Sequence, residues 1–297
     1  MSSDEESLDK LLDKASMAGG GYKERLEALH AELHDAKRKL ARFTAKQYRK
    51  PITIVPIGDS HSDPNIPNDR YRWLGRFIAD IGADVVVDIG DFNDMASLSH
   101  FDYGKKVFEG RMYRKDIDHG IKAREALNDA LGGHKPRKVA CLGNHEDRIR
   151  KVADSMPQFS DLISTDDLKL KELGWEQYDF GVVVPIAGIA FCHYHISGVN
   201  GKAIGGMHQA ANLIRLGLMS CVQGHSHTFD YSERTRADGQ KVMGVSVGCY
   251  FSHFMPWAGA ANQEYWRGIV VLRDVEDGYG TIEKYSMEAI EAKYGGD

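Results

Sequence analysis

The chain of 297 residues has only four cysteines, no CxxC pair and no long apolar run. Cys141, Cys192, Cys221 and Cys249 stand far apart, which excludes a thiolate zinc site of the usual close spacing. Each lies in a short apolar stretch (VACLG, AFCH, SCVQG, VGCY) and reads as a buried, reduced thiol. No segment reaches the roughly 18 consecutive apolar residues of a membrane span, so no membrane partner is expected. The opening MSSDEESLDK has no apolar core of a secretory signal, and the expected location is the cytoplasm. Acids outnumber bases, 43 to 38, for a net charge of −5. That excludes a globally basic nucleic-acid coat but permits a local basic patch. No repeat of 20–50 residues is visible, which excludes a solenoid.

Two regions differ in composition. Residues 1–50 are rich in Lys, Glu, Leu and Ala. Leu26, Leu29, Leu33 and Leu40 recur near helical spacing and predict a helix over about 22–47, separated by Gly19–Gly21 from a shorter segment. The end of this arm is basic, with Lys37, Arg38, Lys39, Arg42, Lys46, Arg49 and Lys50. It reads as a solvated helix that packs on the body or pairs with another subunit, or as a nucleic-acid or partner handle. From Pro51 to the end, residues 51–297, apolar strands alternate with helical stretches. Strands are expected at 52–57, 84–89 and 138–142, as two strands within 182–192 joined from Pro185 to Gly188, and at 219–223, 241–249, 268–273 and 281–285. Helices are expected at 71–81, 117–131 and 207–216, and the tail after Tyr285 reads as polar surface. Strand–helix alternation followed by further strands implies an α/β layered fold.

Five polar motifs share one position, the end of an apolar strand: GDSH (58–61), GDFND (90–94), GNHED (143–147), CH (192–193) and GHSH (224–227). Loops at strand carboxyl ends form the ligand crevice of open α/β sheets, so these motifs are expected to converge. Asp, His and Asn are oxygen and nitrogen donors without thiolate, a set suited to Mn²⁺, Fe or Zn²⁺. Asp59 and His61 are two residues apart, as are His225 and His227, so each pair can turn to one side of its loop. Two cations about 3.5–4 Å apart are best held through a shared carboxylate. Asp91, ending the central strand, is the natural bridge. Gly58, Gly90, Gly143 and Gly224, which lead four of the motifs, permit a tight turn and close approach of backbone to a bound phosphate.

This ordered set resembles the calcineurin-like metallophosphoesterase superfamily, with its DxH, GDxx(D/N), GNH(D/E), H and GHxH pattern, over residues 53–227. The resemblance implies a two-sheet β-sandwich flanked by helices, behind the N-terminal helical arm, with two metals at one edge. Asp59, His61, Asp91 and His227 would hold one metal, and Asp91, Asn144, His193 and His225 the other. Manganese is expected first, with iron, zinc and nickel as alternatives. The cations would lower the pKa of a bridging water, and the resulting hydroxide would attack phosphorus in line. His145 would not be a ligand but would stabilise the transition state or protonate the leaving oxygen. Glu146 or Asp147 would orient its ring, and Arg148 stands within reach of phosphate. His193 is preferred over His195 as the ligand because it directly follows the strand, which leaves His195 to a supporting or substrate-contacting place. Asp94 either orients ligands or caps a turn.

Met95 stands where protein phosphatases of the superfamily carry arginine, which weakens a protein-phosphatase reading. Residues 97–114 mix aromatics with Lys and Arg, which suits a nucleotide or single-stranded nucleic acid, or else a loop packed on the body. The expectation is a phosphodiesterase or nuclease. The alternatives are a phosphomonoesterase acting on a nucleotide or small ester, and a non-catalytic binding protein.

Overall fold

The computed structural model describes residues 48, 50–199 and 201–296. The expected N-terminal helix therefore lies outside the described residues. The fold is mixed α/β, with two large sheets and a short hairpin. Strands β1 (Ile52–Ile57), β2 (Val85–Asp88), β3 (Arg137–Cys141) and β4 (Glu176–Tyr178) run parallel. Beyond β1 the sheet continues antiparallel through β12 (Gly268–Glu276) and β13 (Tyr279–Ser286). The second sheet joins β5 (Val184–Ile186), β6 (Ile189–Phe191), β9 (Ser220–Gln223), β11 (Lys241–Val247) and β10 (Phe229–Thr235), with β6, β9 and β11 parallel. Strands β7 (Ile196–Ser197) and β8 (Lys202–Ala203) form the hairpin.

The period-2 alternation of strand side chains explains the layering. Ile54, Val85, Val87, Val139 and Leu272 point inward and share one apolar cluster with Ile189, Phe191, Val222, Val245 and Val247 of the second sheet. The intervening Val55, Ile57, Val86, Ala140 and Val271 point the other way. There they meet helices α1 (Asp69–Asp80), α2 (Tyr113–Ala130) and α5 (Met287–Tyr294). Tyr71, Leu74, Phe77 and Ile78 supply the buried stripe of α1. Burial on both faces is why these strands read as near-continuous apolar runs. Helices α3 (Asp147–Ser155) and α4 (Gln209–Gly217) complete the set used below.

Three sequence expectations are corrected. The tail after Tyr285 is not merely polar surface, because α5 buries Met287 and Ile290 under the sheet. Pro185 does not lie in the turn but inside β5, where an edge strand tolerates the missing N–H; Ala187 and Gly188 make the turn, both at positive φ. Helix α3 was not anticipated, because DRIRKVADS offers only a short and strongly charged stretch.

Candidate metal centre

The site is assembled where β1, β2 and β3 of one sheet and β6 and β9 of the other reach their carboxyl ends. Each motif is a short loop leaving one of these strands. His61, Asp91, His225 and His227 have φ of 42, 52, 68 and 59°, so four non-glycine residues here occupy the left-handed region. That conformation is uncommon outside glycine and clusters at functional sites, where surrounding structure must hold it. Backbone hydrogen bonds do the holding: Ser60 and His61 N–H donate to Asp91 O at 3.1 and 3.0 Å, and Gly224 N–H donates to His193 O at 3.0 Å.

Two aspartates are fixed in the same way. Asp59 Oδ1 accepts the His225 N–H at 2.8 Å, and Asp91 Oδ1 accepts the His145 N–H at 2.8 Å. In each case the other oxygen faces imidazoles. Asp59 Oδ2 lies 3.0 Å from His227 Nε2 and 4.0 Å from His61 Nε2, yet accepts no hydrogen bond. Asp91 Oδ2 lies 3.3 Å from His193 Nε2 and 3.7 Å from His145 Nε2. A Cβ on Gly143 would collide with the Asp91 carboxylate, and one on Gly224 with that of Asp59. These glycines thus let the Asp91 and Asp59 carboxylates reach backbone amides.

Three groups of donors have all their ligand atoms within 4.8 Å of one another: Asp59, His61 and His227; Asp91, His193 and His225; and His61, Asp91 and His145. Asn144 joins the second group, its Oδ1 3.0 Å from His193 Nε2. His61 Nε2 faces His227 Nε2 at 3.2 Å, and His193 Nε2 faces His225 Nδ1 at 3.2 Å. Support comes from behind the rings. Nδ1 of His61 contacts Asp94 Oδ1 at 3.0 Å, and Nδ1 of His193 contacts the Ile89 carbonyl at 3.0 Å. Donation through Nδ1 leaves each Nε2 lone pair aimed into the centre, as metal-ligating histidines require.

The electrostatics favour positive charge here. Burial opposes ionisation of Asp59, but His227 and His193 outweigh it and hold the carboxyl down at about 2. Burial also opposes ionisation of Asp91 and Asp94, yet their imidazole neighbours keep both well below the usual carboxylate range. Burial works against charging His193 as well, and Asp91, Asp59 and Glu146 overcome it and push the ring up to about 9. His61 and His225 move down, chiefly through burial. Buried carboxylates, convergent imidazole nitrogens and an orphaned carboxylate oxygen fit a metal ion.

The remaining expected residues separate. Asp94 bridges His61 and His145, with Oδ1 3.2 Å and its carbonyl 2.7 Å from His145 Nδ1. Asp94, not Glu146 or Asp147, therefore orients the His145 imidazole. Asp147 pairs with Arg150 and Lys151 at 2.8 and 3.0 Å. Glu146 accepts the N–H groups of Asp91, Asn93 and Gly143 at 3.0, 2.7 and 3.0 Å, clamping the loops after β2 and β3 together. Burial, then Asp91 and Asp88, push it up to about 7. Arg148 donates to the carbonyls of Asp94 and Met95 at 2.9 and 3.2 Å and to His145 Nε2 at 3.0 Å. His195 does not join the cluster; its N–H donates to Gln223 Oε1 and its Nε2 meets the Val222 carbonyl at 3.3 Å. Sequence reasoning missed Phe251 and Tyr265, whose rings stand 5.3 and 4.6 Å from that of His227. The aromatic density of CYFSHFMPW after a strand was the available signal.

No family model matches the chain, and no curated protein matches it. One solved structure aligns over 80% of this chain and 99% of its own, at 13% identity and a TM-score of 0.36.

Proposed function

We propose that this chain is a dinuclear-metal-dependent phosphoesterase, with the sandwich fold and ligand scheme of the calcineurin-like superfamily its motifs resemble, and that it acts on phosphodiesters. The observation that carries the reading is the placement of Asp91. Among the described residues it alone belongs both to the group of His61 and His145 and to the group of His193 and His225, while Asp59, His61 and His227 form their own group. Asp59, His61, Asp91 and His227 would hold one ion, and Asp91, Asn144, His193 and His225 the other. Manganese suits these donors. Two such cations would supply Lewis acidity toward phosphoryl oxygens and acidify a shared water.

The chain's own groups complete the chemistry. Asp59 and Asp91 each keep one oxygen on a backbone amide, so the other is fixed in direction before any ligand arrives. His145 holds Nδ1 on the Asp94 carbonyl and keeps Nε2 3.7 Å from Asp91 Oδ2; in the neutral ring Nε2 accepts from Arg148, and only once protonated and released from that contact would it give a proton to the leaving oxygen. Burial opposes the charged form of His145, but Asp91 and Asp94 raise its pKa, which favours the acid. Arg148 puts a permanent positive charge beside that nitrogen, which opposes the charged form of His145 while favouring an anionic phosphate at the centre.

The test compares bis-p-nitrophenyl phosphate with p-nitrophenyl phosphate in Mn²⁺. Wild type should turn over the diester faster, and His145→Ala should keep bound manganese while losing turnover of a diester with an alkoxide leaving group far more than of bis-p-nitrophenyl phosphate. Asp91→Ala should lose bound manganese and activity together. Metal-dependent hydrolysis persisting in Asp91→Ala would overturn the assignment, and a decisive monoester preference would move the substrate class to monoesters.

A further inference from the structure

The loop that follows β11 carries a row of aromatic rings outward from the metal centre. Phe251 is fully buried, with its ring 5.2 Å from that of His61. Tyr265 is half-buried against His227. Trp257 stands 6.2 Å from the same His227 ring and is 64% exposed. A single exposed apolar residue needs no explanation. This one differs in standing beside His227 on a loop that its own hydrogen bonds hold. Buried Asn262 ties the loop to itself, accepting the Met255 N–H at 2.9 Å and donating to the carbonyls of Met255 and Gly259 at 2.8 Å each. Arg267 donates to the Asn262 carbonyl at 3.2 Å, and Trp266 N–H donates to the carbonyl of His227 itself at 2.9 Å. Pro256 opens the helical turn that presents the indole.

We infer that Trp257 is a stacking face for the planar base of a nucleotide ester, which makes it a specificity-determining residue. This rests on the phosphoesterase reading and names its substrate class. An indole has only two side-chain torsions to lose when a base settles on it, and stacking tolerates any base because each has a π face. Adjacency to a proposed metal ligand places the indole within one sugar of a phosphate held at the centre.

The experiment uses two diesters with one leaving group: the p-nitrophenyl ester of thymidine 5′-monophosphate, which carries a base, and methyl p-nitrophenyl phosphate, which does not. Trp257→Ala should raise KM for the thymidylyl ester by roughly tenfold, the size expected for loss of one base–aromatic stack. The methyl ester should keep its KM and kcat, and Trp257→Phe should retain most of the preference. Equal losses on both esters, or no change on the thymidylyl ester, would overturn the inference. A binding arm needs no turnover. In Mn²⁺, thymidine 5′-monophosphate should quench tryptophan fluorescence in wild type and not in Trp257→Phe, while deoxyribose 5-phosphate quenches neither. Equal quenching in both proteins would also sink it. Base-dependent quenching in a protein that hydrolyses neither ester would uphold the stack and reject the reaction. Affinity that rises with oligothymidylate length assigns the base to a strand, and constant affinity assigns it to a mononucleotide ester; either upholds the stack.

Discussion

At the residue scale, the donors were legible because chemistry restricts them: few residue types bind a cation, and the motifs place them just after strands. What the sequence did not display is how they are held. Left-handed backbone at His61, Asp91, His225 and His227 leaves no composition signal, because these are not glycines. The part of Asp94 was legible only as one of two options. Its carboxylate meets Nδ1 of both His61 and His145, so one substitution should disturb the proposed ligand and the proposed acid together. Asp94→Ala is expected to weaken manganese binding about 10–100-fold, the usual effect of removing a ligand's supporting carboxylate. Titration calorimetry with Mn²⁺ checks this. Unchanged affinity would mean that packing against Phe251, not Asp94, sets the His61 ring.

At the scale of elements, the parallel strands other than β4 were legible to within two residues, since both of their faces are buried and their apolar runs are continuous. Short elements were not. Strand β4 reads EQY, and its place in the sheet comes from pairing with β3 rather than from its own pattern. Helix α2 shows how an element far in sequence supports the centre. Arg124 on α2 reaches Asp88 at the end of β2 at 2.6 Å, with both side chains almost fully buried and the guanidinium 3.8 Å over the Phe92 ring. Asp88 in turn accepts the Gly90 N–H at 3.0 Å, at the entrance to the Asp91 loop. Burial pushes Asp88 up even against Arg124, so the pair is held together by geometry under a heavy desolvation cost. Arg124→Met should destabilise the fold by about 3–5 kcal/mol, because Asp88 is left buried without its partner. Asp88→Asn combined with Arg124→Met should cost less than the two single changes added. Urea denaturation of all four proteins tests this, and strict additivity would show that the pair is not coupled.

At the scale of the whole molecule, no single motif is a site. Donors at residues 59–61, 91, 144–145 and 193 and at 225–227 come from both sheets, and only the packing of one sheet on the other brings Asp59 to His227 and Asp91 to His193. Convergence was legible from the shared strand-end position, whereas the division of the donors into overlapping groups needed the fold. A cation bound across both sheets ties them together in the folded state alone, so binding should add stability to the molecule as a unit. At a hundred times its dissociation constant, each ion would contribute about 2.7 kcal/mol. For a domain of this size that is a rise in Tm on the order of 5–10 °C. The rise should appear with Mn²⁺, vanish with EDTA and be absent in Asp91→Ala. Removal of residues 1–47 should leave both the rise and the hydrolysis of small esters intact. Every donor lies downstream of the cut, and Tyr48, which accepts a hydrogen bond from Arg137 at 3.2 Å, is retained. Scanning calorimetry of the full and shortened chains, with and without Mn²⁺, decides the matter. A rise that survives Asp91→Ala would place the stabilising ion elsewhere, and one lost with residues 1–47 would make the N-terminal segment part of the centre.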